Sequence, residues 1–398
     1  YKKSSLIPSQ RCKYLGFIIN SCDFCLQIND VKKQNILSLL EKFQINKWYK
    51  IREFAQLLGT LNAVCPAVTY GFMYCKRLER EKFMALKFND NNFEGKIQIK
   101  KSMFEDLQWW KDNIRISSNP IRKQDYTLEI FSDASRSGWG CFCNGTSAHG
   151  IWNEEERKHH INFLELLAAF FALRCFASDL SNKEILLRID NTTAICYINR
   201  AGGIQFPHLS DLSRRIWQWC ERRKLWIRAA YIPSKENTQA DTASRNTNFD
   251  TEWELSDRCF NQIVKKFGMP AVDLFASRTN KKCKTFYSRF PDPDASAVDA
   301  FTVSWRNKNF YAFPPFALIL RTLRKIMIDQ AKGVVVVPLW SSQAWFPLYN
   351  SLLTSEPLIF KPSKRLLISP YRNKKHPLAS HLSLVAGMLS YRQCQRKA

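Results

Sequence analysis

Residues 127–153 read TLEIFSDASRSGWGCFCNGTSAHGIWN, and the pattern of that stretch sets the fold. Apolar and polar residues alternate in three short runs. The runs are broken at Ser135-Arg136-Ser137-Gly138 and at Asn144-Gly145, the second a strong hairpin signal, so three strands are predicted. INFLELLAAFFALRCFA (161–177) follows, apolar on most of its circumference and therefore a buried helix. EILLRID (184–190) reads as a buried strand, TTAICYINRAG (192–202) as a short helix, and PHLSDLSRRIWQWCERRK (207–224) as an amphipathic helix. LWIRAAYIP (225–233) is a last strand closed by Pro233, and a short helix begins within NTQADTASR (237–245). Strands, helix, strand, helices, strand and helix in that order imply a mixed sheet flanked by helices.

Four acidic residues sit in this segment, each in a different local setting. Asp133 lies in FSDAS at a strand end, Glu165 in the apolar helix, Asp190 where a strand runs out, and Asp241 near the start of the last helix. Acids at strand ends can converge at one edge of a sheet although far apart in sequence. Their mutual repulsion in a partly dewatered site is removed by divalent cations, and oxygen-only ligands favour magnesium or manganese. Two such ions about 4 Å apart suit an in-line displacement at a phosphate. Taken singly, each acid has a plainer reading as a helix cap or ion pair. Asp190, ahead of Asn191-Thr192-Thr193, can cap the next helix. Glu165 is harder to explain that way, because an unpaired glutamate in an apolar helix is costly to bury.

Composition bounds the partner. The chain has 398 residues, 45% hydrophobic and 24% charged, enough for two or three folded domains. Its net charge of +25 points first to a nucleic acid, with an acidic membrane or ribosomal surface as the alternative. Thirteen cysteines without a framework spacing suit reduced thiols in the cytoplasm or nucleus. The single C-x-x-C, Cys22 and Cys25, has no second pair at zinc-site spacing. No apolar run reaches spanning length, so no membrane partner is expected. The chain opens without methionine, as a fragment of something longer would.

The flanks read as separate apparatus. Residues 1–120 are mostly helical: KYLGFIIN (13–20) alternates like a strand with CDFCLQI (22–28) as hairpin mate, and Asn29-Asp30 caps VKKQNILSLLEKF. IREFAQLLGTLNAV (51–64) is amphipathic, Pro66 begins a third helix, and SMFEDLQWWKDNI (102–114) is a fourth. Lys76, Arg77, Arg80, Lys82, Lys100 and Lys101 punctuate them, either as a solvated face or as a duplex-tracking surface. Beyond Arg245, VDLFASRTN (272–280), FYAFPPFALILRTLRKIMIDQ (310–330) and GVVVVPLW (333–340) suggest a small α/β domain with parallel strands over 255–360. Residues 361–398 read as a basic extended tail with a weak helix near 380–392.

Several of these strings resemble known families. YLGFIIN, IREFAQLLGTLNA and LQWWKDNI resemble the thumb and connection of a retroelement reverse transcriptase, without the paired aspartates of its polymerase palm. FSDAS, LELLA, RIDNTTA and NTQADTASR, with GWGCFCNG and IRAAYIPSKEN, resemble the ribonuclease H domain of retroelements over 127–245, and INFLELLA is similar to strings of DIRS-type, tyrosine-recombinase retrotransposon polyproteins. This resemblance implies Asp133, Glu165, Asp190 and Asp241 as one two-metal catalytic set binding magnesium or manganese. It also implies cleavage of the RNA strand of an RNA–DNA hybrid, and a reverse transcriptase palm and tyrosine recombinase as companion domains. Asn162 and Asn191 would touch 2′-hydroxyls or else serve as caps; Trp139 and Trp152 would stack on sugars or else pack in the core. The family's assisting histidine is missing between Tyr231 and Asp241, leaving Lys235, Glu236 or water for its role. VDLFASRTNKKCKTFYSR (272–289), FPPF (313–316) and VVVVPLW (334–340) resemble Dam-type adenine methyltransferases. Phe313 stands where an active enzyme carries a hydrogen-bonding residue before Pro-Pro, and Ala276-Ser277 replace a glycine-rich turn. The expected whole is an α/β multidomain chain: thumb/connection (1–120), ribonuclease H (127–245), methyltransferase-like domain (255–360) and tail (361–398). Two alternatives remain: a non-catalytic nucleic-acid-binding remnant, and a DNA adenine methyltransferase.

Overall fold

A computed structural model of the protein describes residues 7–245, 253–369 and 376–391. The chain is a mixed α/β protein. It divides by contact density into two units, residues 1–129 with 180–231 and residues 130–179 with 232–398. Among the described residues no helix is long and apolar enough to cross a membrane.

The first unit opens on an antiparallel sheet of β1 (Arg11–Tyr14), β2 (Phe17–Asn20), β3 (Cys25–Ile28) and, after a long excursion, β6 (Ser118–Pro120). The single strand expected over 13–20 is instead a hairpin. Leu15 and Gly16 both take positive φ, 46° and 81°, the backbone a tight two-residue turn requires. The helices are α1 (Asp30–Glu41), α2 (Ile51–Val64), α3 (Gly71–Phe88) and α4 (Lys101–Asn113), with β4 (Trp48–Lys50) and β5 (Lys96–Gln98) paired between them. Asn29 caps α1 as expected, its side chain accepting from Lys32 N–H at 2.8 Å. Pro66 lies in a short 3-10 turn rather than starting α3, because Tyr70 at φ 66° resets the chain direction before Gly71. The unit also contains β10 (Glu184–Ile189), α7 (Thr192–Asn199), α8 (Pro207–Arg222) and β11 (Trp226–Tyr231), with β10 and β11 parallel. α8 is tied to the N-terminal helices by Arg214 on the buried Asp106 and by Tyr74 Oη–H donating to Glu221 at 2.6 Å.

The second unit holds β7 (Leu128–Ala134), whose first two residues belong to the other unit, with β8 (Gly138–Cys143) and β9 (Thr146–Ile151) as an antiparallel meander. Asn144 and Gly145 make the expected hairpin, at φ 46° and 80°. After α5 (Glu154–Arg157) comes α6 (Ile161–Phe176), buried continuously from Phe163 to Leu173, and later α9 (Thr238–Arg245). Thr127 N–H donates to Glu184 O at 2.8 Å and Glu129 pairs with Arg188, so the start of β7 runs beside β10. The complete sheet has the order β11-β10-β7-β8-β9.

The C-terminal elements are β12 (Glu254–Leu255), α10 (Asp257–Phe267), β13 (Val272–Asp273), β14 (Thr285–Ser288), β15 (Ala297–Val298), β16 (Asn309–Ala312), α11 (Ile319–Ile328), β17 (Lys332–Pro338), α12 (Phe346–Leu352), β18 (Leu358–Phe360), β19 (Leu367–Ile368) and β20 (Leu384–Ser390). Seven of these strands form one sheet, β15-β14-β13-β16-β17-β20-β18, parallel from β15 to β17 as anticipated. The weak helix expected near 380–392 is the strand β20, antiparallel to the hydrophobic β17 and buried along most of its length. A run such as LVAGML carries little helical periodicity, and a neighbouring apolar strand edge decides its state. Residues 370–375 and 392–398 of the expected tail lie outside the described residues.

Candidate metal centre

The site is built from the end of β7 outward. Asp133 lies opposite Gly140 across the β7–β8 ladder. A Cβ on Gly140 would fall 2.3 Å from both Ala240 O and Ser244 N, so the backbone of α9 rests directly on β8 at a position only glycine can provide. That close approach delivers Ser244, whose hydroxyl donates to Asp133 Oδ2 at 2.6 Å. Asn237, just ahead of α9, fixes the same corner by donating from Nδ2 to Ser132 O at 3.0 Å.

Glu165 sits in α6 between the fully buried Leu164 and Leu166, and is itself only 5% exposed, as is Asp133. Asp190 is half-buried where β10 ends. One oxygen from each of Asp133, Glu165 and Asp190 lies within 4.8 Å of the others. Three carboxylates at such separations, two of them out of water, repel one another unless a cation intervenes. The donor set is all hard oxygen, without thiolate or imidazole, and fits a hard divalent cation.

Asp241 stands outside that trio. It is half-exposed in the first turn of α9, and its carboxylate accepts from Arg245 Nε at 2.8 Å. The pair pushes the Arg245 guanidinium above its ordinary range, chiefly through that hydrogen bond. Asn191 caps α7, Oδ1 accepting from Ala194 N–H at 2.9 Å, and Asn162 lies in the first turn of α6, its N–H donating to His160 Nδ1 at 3.2 Å. Trp139 and Trp152 are core residues: both pack on Phe171, and Trp152 Nε1–H donates to Ser135 O at 2.9 Å. Neither is placed to stack on a sugar, being 1% and 0% exposed. Lys235 and Glu236 are exposed in the turn before α9. Ser244, Asn237 and Gly140 were not singled out from the sequence. Only Gly140 carried a signal, as a glycine inside a strand.

In the C-terminal sheet, Asp273 closes β13 and is 2% exposed. Its oxygens accept from Lys282 N–H at 3.0 Å and Phe275 N–H at 3.3 Å, while burial pushes its carboxyl up to about 6. Trp253, Phe275, Asn280, Tyr311 and Phe313 line the narrow cleft beside it. Phe313 precedes Pro314-Pro315 and offers no hydrogen-bonding side chain.

Comparisons with known proteins place these features in context. The DNA N-6-adenine-methyltransferase (Dam) family profile matches residues 218–376. A putative enzymatic polyprotein of Cassava vein mosaic virus is 24% identical over 268 residues, 63% of this chain; the chain spans 38% of that polyprotein's length. Among solved structures, ribonuclease H1 from the halophilic archaeon Halobacterium salinarum is 19% identical, covering 29% of this chain and 92% of its own, with a TM-score of 0.26. The foamy viral protease–reverse transcriptase in complex with RNA/DNA hybrid is 16% identical, covering 57% of this chain and 30% of its own, with a TM-score of 0.26.

Proposed function

We propose that the chain carries a metal-dependent ribonuclease H that cuts the RNA strand of an RNA–DNA hybrid, as part of a retroelement polyprotein of the DIRS type. The observation that carries this reading is the convergence of Asp133, Glu165 and Asp190 on one point from three separate elements. Isolated caps and ion pairs would not bring three acids within 4.8 Å of one another. Asp133, Glu165 and Asp190 would hold a divalent cation, or a pair of them, which when bound would supply Lewis acidity toward a phosphodiester. The protein's own residues hold the ligands in place. Ser244 fixes the rotamer of Asp133, and the packing of α6 holds Glu165. Asp241 as a fourth ligand would have to share its carboxylate with Arg245, whose contacts fall on Oδ1. The net charge of +25 suits the polyanionic partner, and the likeness to a viral polyprotein suits companion domains such as a polymerase palm and a recombinase. The Dam match favours a second reading, adenine methylation, against which Phe313 stands.

The test is cleavage of an end-labelled RNA–DNA hybrid with magnesium or manganese, by the protein and by Asp190→Asn. Cleavage by the first and none by the second is expected. A protein inert with either ion, or a variant that cuts equally well, would sink the proposal.

A further inference from the structure

The loops that leave β13 and β14 emerge from the carboxyl edge of the parallel strands, next to the β13–β16 switch point where open α/β sheets usually take their ligands. Here they reach the β9–α6 corner of the other sheet within the same unit. Arg278, six residues after β13 begins, sends both terminal nitrogens to Glu156 at 2.7 and 2.9 Å and one of them to Ile151 O at 3.3 Å. Its guanidinium lies 4.6 Å over the ring of Phe171. The side chains of Arg278 and Glu156 are 13% and 16% exposed. The loop after β14 adds two contacts, Asp294 on Arg174 and Phe290 on His149, and Asp292 ties the two loops together by accepting from Arg278 N–H at 3.0 Å.

We infer that the C-terminal sheet domain braces the nuclease helix, and that Arg278 is a positioning residue acting on Glu165 through α6. The inference rests on the nuclease reading for its effect on cleavage. Phe171 lies six residues beyond Glu165 on α6, less than two turns away, and is wedged between Arg278 and the rings of Trp139 and Trp152. A helix gripped at that point cannot rotate or slide without moving Glu165. Metal ligands tolerate only a fraction of an ångström of such movement. Glu156 is the natural anchor, because it also closes the capping box of α5, Oε2 accepting from Asn153 N–H at 3.0 Å. The fork geometry needs arginine: lysine presents one ammonium and cannot satisfy both carboxylate oxygens in one plane.

The experiment uses the full chain carrying Arg278→Gln, Glu156→Gln, both together, or Arg278→Lys. Glutamine at 156 preserves the capping box, so loss of the ion pair is isolated. Two quantities are read: the magnesium concentration for half-maximal hybrid cleavage, and hydrogen exchange of the α6 amides from Phe170 to Arg174. Arg278→Gln should raise the magnesium requirement about tenfold or more and speed α6 exchange, with Arg278→Lys intermediate. The double variant should be more stable to heat than the sum of the singles predicts, since neither charge is left buried alone. Unchanged magnesium demand together with unchanged α6 exchange in Arg278→Gln overturns the brace. If Arg278→Gln does not fold, Arg278→Lys decides, and its global unfolding also overturns the proposal, because a brace on one helix does not hold up the whole chain. Should the unaltered protein not cleave at all, the nuclease reading fails while α6 exchange still decides the brace.

Discussion

Asp133 sits next to last in β7 and Asp273 closes β13, and both are all but sealed from solvent, yet their surroundings differ in kind. Asp133 is joined by Glu165 and Asp190 and receives one hydroxyl hydrogen bond from Ser244. Among the described residues Asp273 belongs to no group of three or more such ligands, and it accepts two backbone N–H groups from its own loop. The first arrangement concentrates negative charge and calls for a cation. The second gives a single carboxyl two local donors, and burial makes it hold its proton more tightly than usual. Burial alone therefore does not mark a functional acid. What separates the two is whether the neighbours raise the local charge or neutralise it.

The comparison breaks most readily at Glu165. Glu165→Gln removes a ligand oxygen's charge and should lower hybrid cleavage by about a thousandfold or more, equivalent to about 4 kcal/mol of transition-state stabilisation. In a chelator it should also raise the midpoint of thermal unfolding, because one of three mutually repelling carboxylates becomes neutral. Asp273→Asn should leave cleavage unchanged. A Glu165→Gln protein that cuts normally, or that melts lower in the chelator, would make the trio a structural cluster like the Asp273 corner.

Gly140 tests the packing beneath the trio. Gly140→Ala places a Cβ where Ala240 O and Ser244 N already sit at 2.3 Å, and backbone cannot yield as a flexible side chain would. The loss should be about 3 kcal/mol in urea unfolding, at the upper end for overpacking. Hybrid cleavage should fall with it as α9 lifts Ser244 from Asp133. A loss under about 1 kcal/mol would mean that α9 is not seated on β8 as described.

How far the sequence carried this site follows from the range of the interactions. Strand ends, the Asn144-Gly145 hairpin, the limits of α2 and the apolar helix around Glu165 are set by neighbours a few residues away, so they were legible. The convergence of Asp133, Glu165 and Asp190 depends on sheet order, which local pattern does not encode; it was anticipated only through motif resemblance. Asp241 was grouped with them on the same ground, whereas its neighbour Arg245, four residues on, holds it in a local pair. The brace at Arg278 left no trace in the sequence, since a lone arginine in a polar loop reads as solvated. The strand nature of 384–390 was missed because β17 supplies the pairing from some fifty residues upstream.

Asp273 makes a prediction of its own in pH. Its carboxyl is raised from 3.8 to about 6 by burial, partly opposed by its two backbone donors. Between those values the folded chain keeps a proton that the unfolded chain has released, so stability falls as pH rises through the window. The penalty is complete above about 6 and vanishes below about 4. Unfolding in urea at about pH 4.5 and about pH 7 should differ by roughly 2 kcal/mol more in the unaltered protein than in Asp273→Asn, with the unaltered protein favoured at the lower pH. An identical pH dependence in the two would show that Asp273 is ionised in the fold at no cost, as in a well-paired acid.

The smallest effect is at Arg245, and it bears on whether the acid set is three or four. The Arg245–Asp241 pair is an exposed i, i+4 contact, with the arginine side chain 69% exposed and the aspartate 36%. Arg245→Ala should therefore change stability by only about 0.3 kcal/mol. Its consequence for metal binding tells two arrangements apart. If Asp241 turns toward the trio when an ion and hybrid are bound, the arginine competes with the cation for the same carboxylate, and removing it lowers the magnesium concentration for half-maximal cleavage. If Asp241 stays paired with Arg245 on the surface of α9, the magnesium requirement does not move. Asp241→Asn then separates the cases: loss of cleavage with a raised metal demand adds it to the trio, whereas retained cleavage leaves Asp133, Glu165 and Asp190 as the complete set.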